Sequence, residues 1–564
     1  MIAHTVSTLR IPMRDGVELS ATAFIPIGRD ASTLLARSPY GSVDYPIMGG
    51  TGGIAPTLLT FVKAGYAVVW VECRGTFDSD GIFSPLADEV ADGYDTVDWI
   101  VRQPWSDGKV GTYGMSYLGM TQWALATAAH PAHKAMAPAV TAMNWYKGVM
   151  YHPGGALSAG IAVGWSAIMR LAEEMRREDK NAELIAELTG HMLNGSAASE
   201  ISPLTEFTAL TASPWFSDLL AHPSYDSFWQ QHDLTTDVGK VATPALLIAG
   251  WFDIFINQQL RDFELLRRDG ATDDVREGSR LIVGPWDHYD GMLIARTPDR
   301  DFGVMASSVG IDLTAEHLAH FQRWMSDIPT EDTPPRVRLF VMGIDQWRDE
   351  SDWPLPDTQY TDYYLDSHTL TTTLPDAAGE HTYVYNPADP VRTTESTRLS
   401  AIWEAADQRF NDDRQDVVRF STPPLEQPVE VTGYVTAVLF VSSDAPDTDF
   451  TAKLIDVSPD GRAIALCNGI VRARYRNDLS TPKLLETGHI YELAIDMAVT
   501  SNVFLAGHRI RVDISSSDFP QYDRNTNTGG QINAEPIEYA VPATNTIHTG
   551  PDHPSRLVLP VIQR

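Results

Sequence analysis

Gly111-Thr112-Tyr113-Gly114-Met115-Ser116-Tyr117-Leu118-Gly119 is the stretch on which the fold turns. It reads as a buried strand running into a serine on a tight turn, with a small-residue helix from Met120 to Ala129 behind it. Strand, turn and helix in that order form the setting of a nucleophile elbow, which lifts the serine hydroxyl above the sheet and aims the next N–H, that of Tyr117, at the same spot. Gly114 and Gly119 stand at −2 and +3 from Ser116, where the usual spacing is −2 and +2, and Leu118 takes the place of the second glycine. A glycine-rich strand-to-helix turn with an idle serine would look the same, so the reading depends on partners.

Two further strand ends supply them. Pro244 to Gly250 is a short apolar run, as expected of a strand buried on both faces, and Trp251-Phe252-Asp253 follows it. Arg280-Leu281-Ile282-Val283 repeats the design and ends in Gly284-Pro285-Trp286-Asp287-His288. Carboxyl ends of parallel strands form the ligand crevice of an open sheet, so Asp253 and His288 are expected at one edge with Ser116. The order Ser, Asp, His is that of the α/β-hydrolases.

The surrounding chain fits an α/β core. Gly65 to Val71 reads as a buried strand, Asp88 to Arg102 has helical spacing, and Trp105-Ser106-Asp107-Gly108 turns into the elbow strand. Met150 to Met192 is rich in Ala, Glu, Leu and Met with no buried strand, which suggests a helical insertion. From about residue 354 short strand-like segments dominate, among them 429–435, 437–441 and 509–514, the pattern of a β-sandwich. The expected organisation is therefore an α/β-hydrolase core over 1–143 and 242–353, a helical cap over 144–241, and a β-sandwich over 354–564.

These segments together resemble the cocaine-esterase-like serine hydrolases of the X-prolyl dipeptidyl peptidase superfamily. The resemblance rests on Arg37-Ser38-Pro39-Tyr40, the elbow with Met120-Thr121-Gln122-Trp123, Gly250-Trp251-Phe252-Asp253 and Gly284 to His288. Val341 to Arg348, Ser501 to Leu505 and Tyr522 to Asn527 extend it over nearly the whole length. It implies an α/β-hydrolase fold with a jelly-roll sandwich and a catalytic triad of Ser116, Asp253 and His288. It also implies an oxyanion hole made by the Tyr40 hydroxyl and the Tyr117 amide, and an acyl pocket holding Trp165 and Phe255. Met150 stands where the family has an aromatic residue, and Glu395 to Ala406 departs from the family's sandwich loop. Both departures argue against cocaine as a good substrate and leave a bulky or aromatic ester as the expected one. An α-amino-ester hydrolase or X-prolyl dipeptidyl peptidase is the alternative within hydrolases, and a non-catalytic binding protein using the sandwich is the alternative outside them.

Composition narrows the field further. A chain of 564 residues exceeds what one core supports. A formal net charge of −32 with no basic stripe excludes nucleic acid as a partner. No apolar run reaches membrane-spanning length, the start lacks a signal-peptide pattern, and Cys73 and Cys467 do not suggest a disulfide framework. A cytoplasmic protein acting on a small-molecule ester, with no cofactor and no metal, is expected; a homodimer is left open. Glu316-His317-Leu318-Ala319-His320 reads as an amphipathic surface helix rather than a metal site, and the acidic stretch Asp444 to Asp460 lacks calcium-loop spacing. Lys109 is separated from Ser116 by the elbow strand, which disfavours a Ser–Lys dyad. Gly49 to Gly53 could act as a glycine-rich oxyanion loop or simply be a surface loop. Asp287 is expected to face solvent.

Overall fold

Continuous apolar strands lie at the centre of the molecule. The computed structural model describes residues 3–41, 54–193, 200, 202–288, 291–328, 333–395 and 405–564. Ten strands form one sheet: β1 (His4–Pro12), β2 (Glu18–Pro26), β3 (Ala31–Ser38), β4 (Ala67–Glu72), β5 (Ser106–Met115), β6 (His133–Ala139), β7 (Leu246–Gly250), β8 (Arg280–Gly284), β9 (Val337–Val341) and β10 (Gln346–Glu350). Their spatial order is β1-β2-β4-β3-β5-β6-β7-β8-β9-β10. The block from β4 to β9 is parallel, and antiparallel strands close both edges.

Every residue of β4, β7 and β8 is buried, because helices cover both faces of the sheet. Alternation along β3 shows the two layers. Leu34 packs in a cluster with Phe61 of α1 (Ile54–Ala64) and Phe321 of α8 (Leu313–Met325). Leu35 joins Val97 and Ile100 of α2 (Glu89–Ile100) and Leu125 of α3 (Tyr117–Thr127). Of the α8 histidines His320 leaves the surface, being 2% exposed, whereas His317 is half-buried and bonds the Leu313 carbonyl through Nδ1 (2.8 Å) beside the ring of Phe61. His320 shares the buried face of the helix with Leu313, Phe321 and Met325, and burial pushes its pKa down to about 3.

Between β6 and β7 the chain makes a π turn at Tyr146–Met150, then α4 (Ala159–Arg176), α5 (Ala182–Leu193) and α6 (Pro214–Ala221). Its described residues contain no strand, only an isolated bridge between Tyr151 and Leu157. Trp145, Trp165, Phe216 and Trp229 anchor a separate apolar cluster there. The chain then returns through β7 to α7 (Ile256–Asp269).

From Thr358 onward eleven strands form a mixed, mainly antiparallel β domain, the sandwich-like part of the molecule. Residues 429–435 and 437–441 belong to one strand, Val429–Ser443, with a bulge between Tyr434 and Thr436. Where this domain meets the helical insertion, the buried guanidinium of Arg472, 1% exposed at its side chain, pairs with Asp449 (2.8 Å) and Asp523 (2.9 Å) of the same domain. Asp523 also accepts the Leu157 N–H at 2.9 Å, and the Arg472 N–H donates to the Gly154 carbonyl at 2.9 Å. A Cβ at Gly154 would lie 1.9 Å from the Ile470 carbonyl oxygen, so only glycine allows the backbones to meet. In the acidic stretch, Asp447 is paired with Arg474 at 2.8 Å. No helix among the described residues is long and apolar enough to cross a membrane.

Candidate active site

The strand order places four chain segments at one edge. β3, β5, β7 and β8 are parallel, and Tyr40, Ser116, Asp253 and His288 follow their carboxyl ends. Ser116 has φ 59° and ψ −127°, a conformation that costs a non-glycine residue on the order of 1–3 kcal/mol. The turn is held by the Ser116 N–H donating to the Ala139 carbonyl (3.0 Å), and by the Gly119 and Met120 N–H groups donating to the Ser116 carbonyl (2.8 and 3.1 Å). The shifted glycine spacing now has a cause. A Cβ on Gly114 would sit 2.6 Å from that of Leu118, and one on Gly119 would sit 2.4 Å from a Thr141 methyl. The helix packs so closely on the segment after β6 that the second glycine is needed at +3.

Ser116 Oγ lies 3.0 Å from His288 Nε2, and His288 Nδ1 lies 2.7 Å from Asp253 Oδ2. The other Asp253 oxygen accepts the Phe255 N–H at 2.8 Å, so both carboxylate oxygens are engaged. The Asp253 side chain is fully buried and that of His288 is 5% exposed. The Phe255 ring packs on the imidazole with 5.4 Å between centroids. Asp287 does not face solvent: it is 4% exposed, drawn inward with the loop whose Trp286 carbonyl accepts the Phe252 N–H at 3.0 Å.

Tyr40 reaches the same point from the β3 side. Its hydroxyl accepts the Trp165 Nε1–H at 3.1 Å, and the residue shares the cleft lining with Ser116 and Tyr117. Burial raises the Tyr40 pKa above the usual tyrosine range, so the hydroxyl keeps its proton. Tyr117 is the first residue of α3, where backbone N–H groups have no partner within the helix and the helix dipole is positive. Tyr40, Ser116, Tyr117 and His288 share the lining of one cleft. Trp145, Met150, Ile161, Trp165, Ile168 and Phe255 form its apolar walls. Trp165 stands edge-on to Trp145 at 5.5 Å and parallel to Tyr117 at 6.0 Å. Among the described residues that line this cleft, none is an aspartate, glutamate, lysine or arginine.

Trp145, Ile161, Ile168 and the Trp165–Tyr40 hydrogen bond escape sequence reasoning. Helical periodicity marks α4 as amphipathic, but nothing in the pattern says which apolar residue faces Ser116. Lys109, at the start of β5, pairs with Asp327 at 2.6 Å, a full strand away from Ser116. Gly49 to Gly53 and residues 396–404 lie outside the described residues.

Residues 15–290 match the X-Pro dipeptidyl-peptidase (S15 family), and residues 330–558 match the X-Pro dipeptidyl-peptidase C-terminal non-catalytic domain. The chain belongs to this superfamily of serine hydrolases and is an enzyme of that class, acting on ester or amide bonds. It is 46% identical to the cocaine esterase of Rhodococcus sp. (strain MB1 Bresler), over 99% of this chain and 98% of that protein. Among solved structures it is similar to an aminopeptidase from a marine sediment archaeon, Thaumarchaeota archaeon, with a TM-score of 0.84 and 28% identity over 99% and 97% of the two chains. An α-amino acid ester hydrolase gives a TM-score of 0.83 and 26% identity over 99% and 96%.

Proposed function

We propose that this protein is a carboxylesterase for bulky or aromatic acyl groups, working through an acyl-enzyme on Ser116. The observation that carries the reading is the chain of contacts Ser116–His288–Asp253, at 3.0 and 2.7 Å, opening on a cleft with apolar walls. His288 Nε2 takes the Ser116 proton as Oγ attacks the ester carbonyl, and Asp253 holds the proton on Nδ1 and stabilises the imidazolium. The imidazolium returns the proton to the leaving alkoxide. Neutral His288 then takes a proton from water as its oxygen attacks the acyl-enzyme; the bond to Ser116 Oγ breaks, the imidazolium returns the proton to Oγ, and the acid is released. The tetrahedral oxyanion of each step is held by the Tyr117 N–H and the Tyr40 O–H. Trp165 holds the Tyr40 oxygen from the other side, leaving its proton for the substrate.

The apolar, aromatic walls favour a flat neutral acyl group such as benzoyl. An α-amino-ester hydrolase or X-prolyl peptidase must bind an ammonium, and the described lining offers no carboxylate for it. A panel of p-nitrophenyl esters and an X-prolyl anilide separates the two readings. The highest kcat/KM is expected on neutral aromatic acyl esters; a higher value on aminoacyl esters or the X-prolyl anilide would overturn this one.

Tyr40→Phe keeps the ring and deletes one donor used in the transition state. It is expected to lower kcat roughly 100- to 1000-fold with KM nearly unchanged. The Trp165 N–H loses its acceptor, so stability should fall by about 1–2 kcal/mol in denaturant titration. A kcat within a few-fold of the parent would make Tyr40 a structural residue.

A further inference from the structure

A chain of buried contacts runs beneath the elbow. The Arg37 guanidinium, 2% exposed, meets the Glu89 carboxylate at 2.7 Å, donates to the Glu89 carbonyl at 2.9 Å, and lies 3.9 Å from Asp92. The other Glu89 carboxylate oxygen accepts the Tyr117 phenol O–H at 3.0 Å. The phenol oxygen accepts the Leu86 N–H at 2.9 Å, which leaves its proton for Glu89. From Arg37 the chain reaches Tyr40 through a turn pinned by the Tyr40 N–H donating to Ser38 Oγ at 3.1 Å. The Tyr40 hydroxyl and Tyr117 then stand together in the lining of the cleft, at the two ends of this chain of contacts.

The position of this ion pair needs an explanation. A buried pair gains little stability over apolar residues of similar volume, because taking both charges out of water offsets their attraction. What it supplies here is direction. The Tyr40 donor follows β3 and the Tyr117 donor opens α3. Among the described residues the ladder between β3 and the elbow strand β5 ends at Leu35 and Thr112. Beyond it the Thr121 hydroxyl of α3 reaches the Arg37 carbonyl at 3.4 Å, so both donors lie past the last paired residues. We infer that the Arg37–Glu89 pair, acting through the Tyr117 phenol, is the positioning element that sets the distance between the Tyr117 N–H and the Tyr40 O–H. This rests on the reading of Ser116 as nucleophile and of these two groups as oxyanion donors. Arg37 and Glu89 touch neither substrate nor Ser116 in this scheme; Tyr117 has two parts, an amide that faces the reaction and a phenol that anchors it.

Misplacing a catalytic donor by a fraction of an ångström weakens transition-state binding while leaving ground-state binding nearly intact. Tyr117→Phe retains the ring and the amide but releases Glu89. Glu89→Gln retains an acceptor oxygen but leaves Arg37 facing only Asp92. Each is expected to lower kcat on an aromatic p-nitrophenyl ester roughly 10- to 100-fold, with KM within about threefold of the parent. A boronic acid that forms a tetrahedral adduct on Ser116 should lose affinity by the same factor as kcat/KM. The double variant should be no worse than the poorer single one, because both act through one contact. In a Tyr40→Phe background the Glu89→Gln effect should shrink.

An unchanged kcat with only a lower melting temperature, or a raised KM at constant kcat, would overturn the inference and leave an ordinary structural ion pair. If Glu89→Gln does not fold, the nearly isosteric Tyr117→Phe carries the test alone. Fluorophosphonate labelling of the parent separates the two levels. A parent unlabelled at Ser116 ends the nucleophile reading itself, whereas a labelled parent with unaffected variants ends only the positioning role.

Discussion

His288→Ala should lower kcat on an aromatic p-nitrophenyl ester by on the order of 10⁴- to 10⁶-fold, the scale for removing the general base of a Ser–His–Asp site. The imidazole is the only group the structure places against both Ser116 Oγ, at 3.0 Å, and Asp253, at 2.7 Å, among the described residues. Its loss leaves the oxyanion donors and the acyl cleft in place, so KM should move little and a residual rate should persist. Asp253 keeps its bond from the Phe255 N–H, and the variant should fold. The measurement is steady-state kinetics beside a thermal melt. A kcat within tenfold of the parent, in a folded variant, would remove His288 from the mechanism. His317 and His320 could not replace it, being packed in α8 against Phe321.

Asp253→Asn should cost about 10⁴-fold in kcat at neutral pH, for a reason the local geometry makes specific. One carboxylate oxygen of Asp253 accepts the Phe255 N–H at 2.8 Å. In the asparagine variant the amide oxygen must stay on that N–H, which turns the NH₂ toward His288 Nδ1. An N–H facing Nδ1 forces the imidazole proton onto Nε2, where it points at Ser116 and cannot accept the serine proton. Fold and ester affinity should survive, since shape and volume are unchanged. Kinetics and circular dichroism on the same preparation check this. Turnover near the parent level would mean that the aspartate neither orients nor charges the imidazole.

How much of this was legible beforehand follows from the range of each interaction. The apolar runs Ala67–Val71, Leu246–Gly250 and Leu281–Gly284 lie in strands buried on both faces, which a sequence announces directly. The helical insertion and the strand-rich last third are legible for the same reason, as composition and period change together. The elbow was readable but its odd spacing was not, because the +3 glycine answers to Thr141, which only the packing of α3 reveals. Asp287 was misread because a charged residue in a loop is usually solvated, whereas here the loop folds inward behind Trp286. Of the two α8 histidines only His320 departs from the surface reading, because it falls on the buried face with Leu313, Phe321 and Met325. The contacts that shape the candidate site most finely were silent in the sequence. Trp165 reaches Tyr40 across 125 residues and Tyr117 reaches Glu89 across 28, and pairs of that kind leave no periodicity to read.

The central claim is that Ser116 carries the acyl group, and an organophosphonate tests it most directly. The enzyme is treated with a fluorophosphonate, digested and analysed by mass spectrometry alongside residual activity. Ser116 sits in a strained turn 3.0 Å from His288 Nε2, so it should be the single modified residue, with activity lost in proportion to its occupancy. His288→Ala should label far more slowly under the same conditions. An adduct on Ser106 or Ser501 with Ser116 untouched, or full activity after stoichiometric labelling of Ser116, would contradict the account.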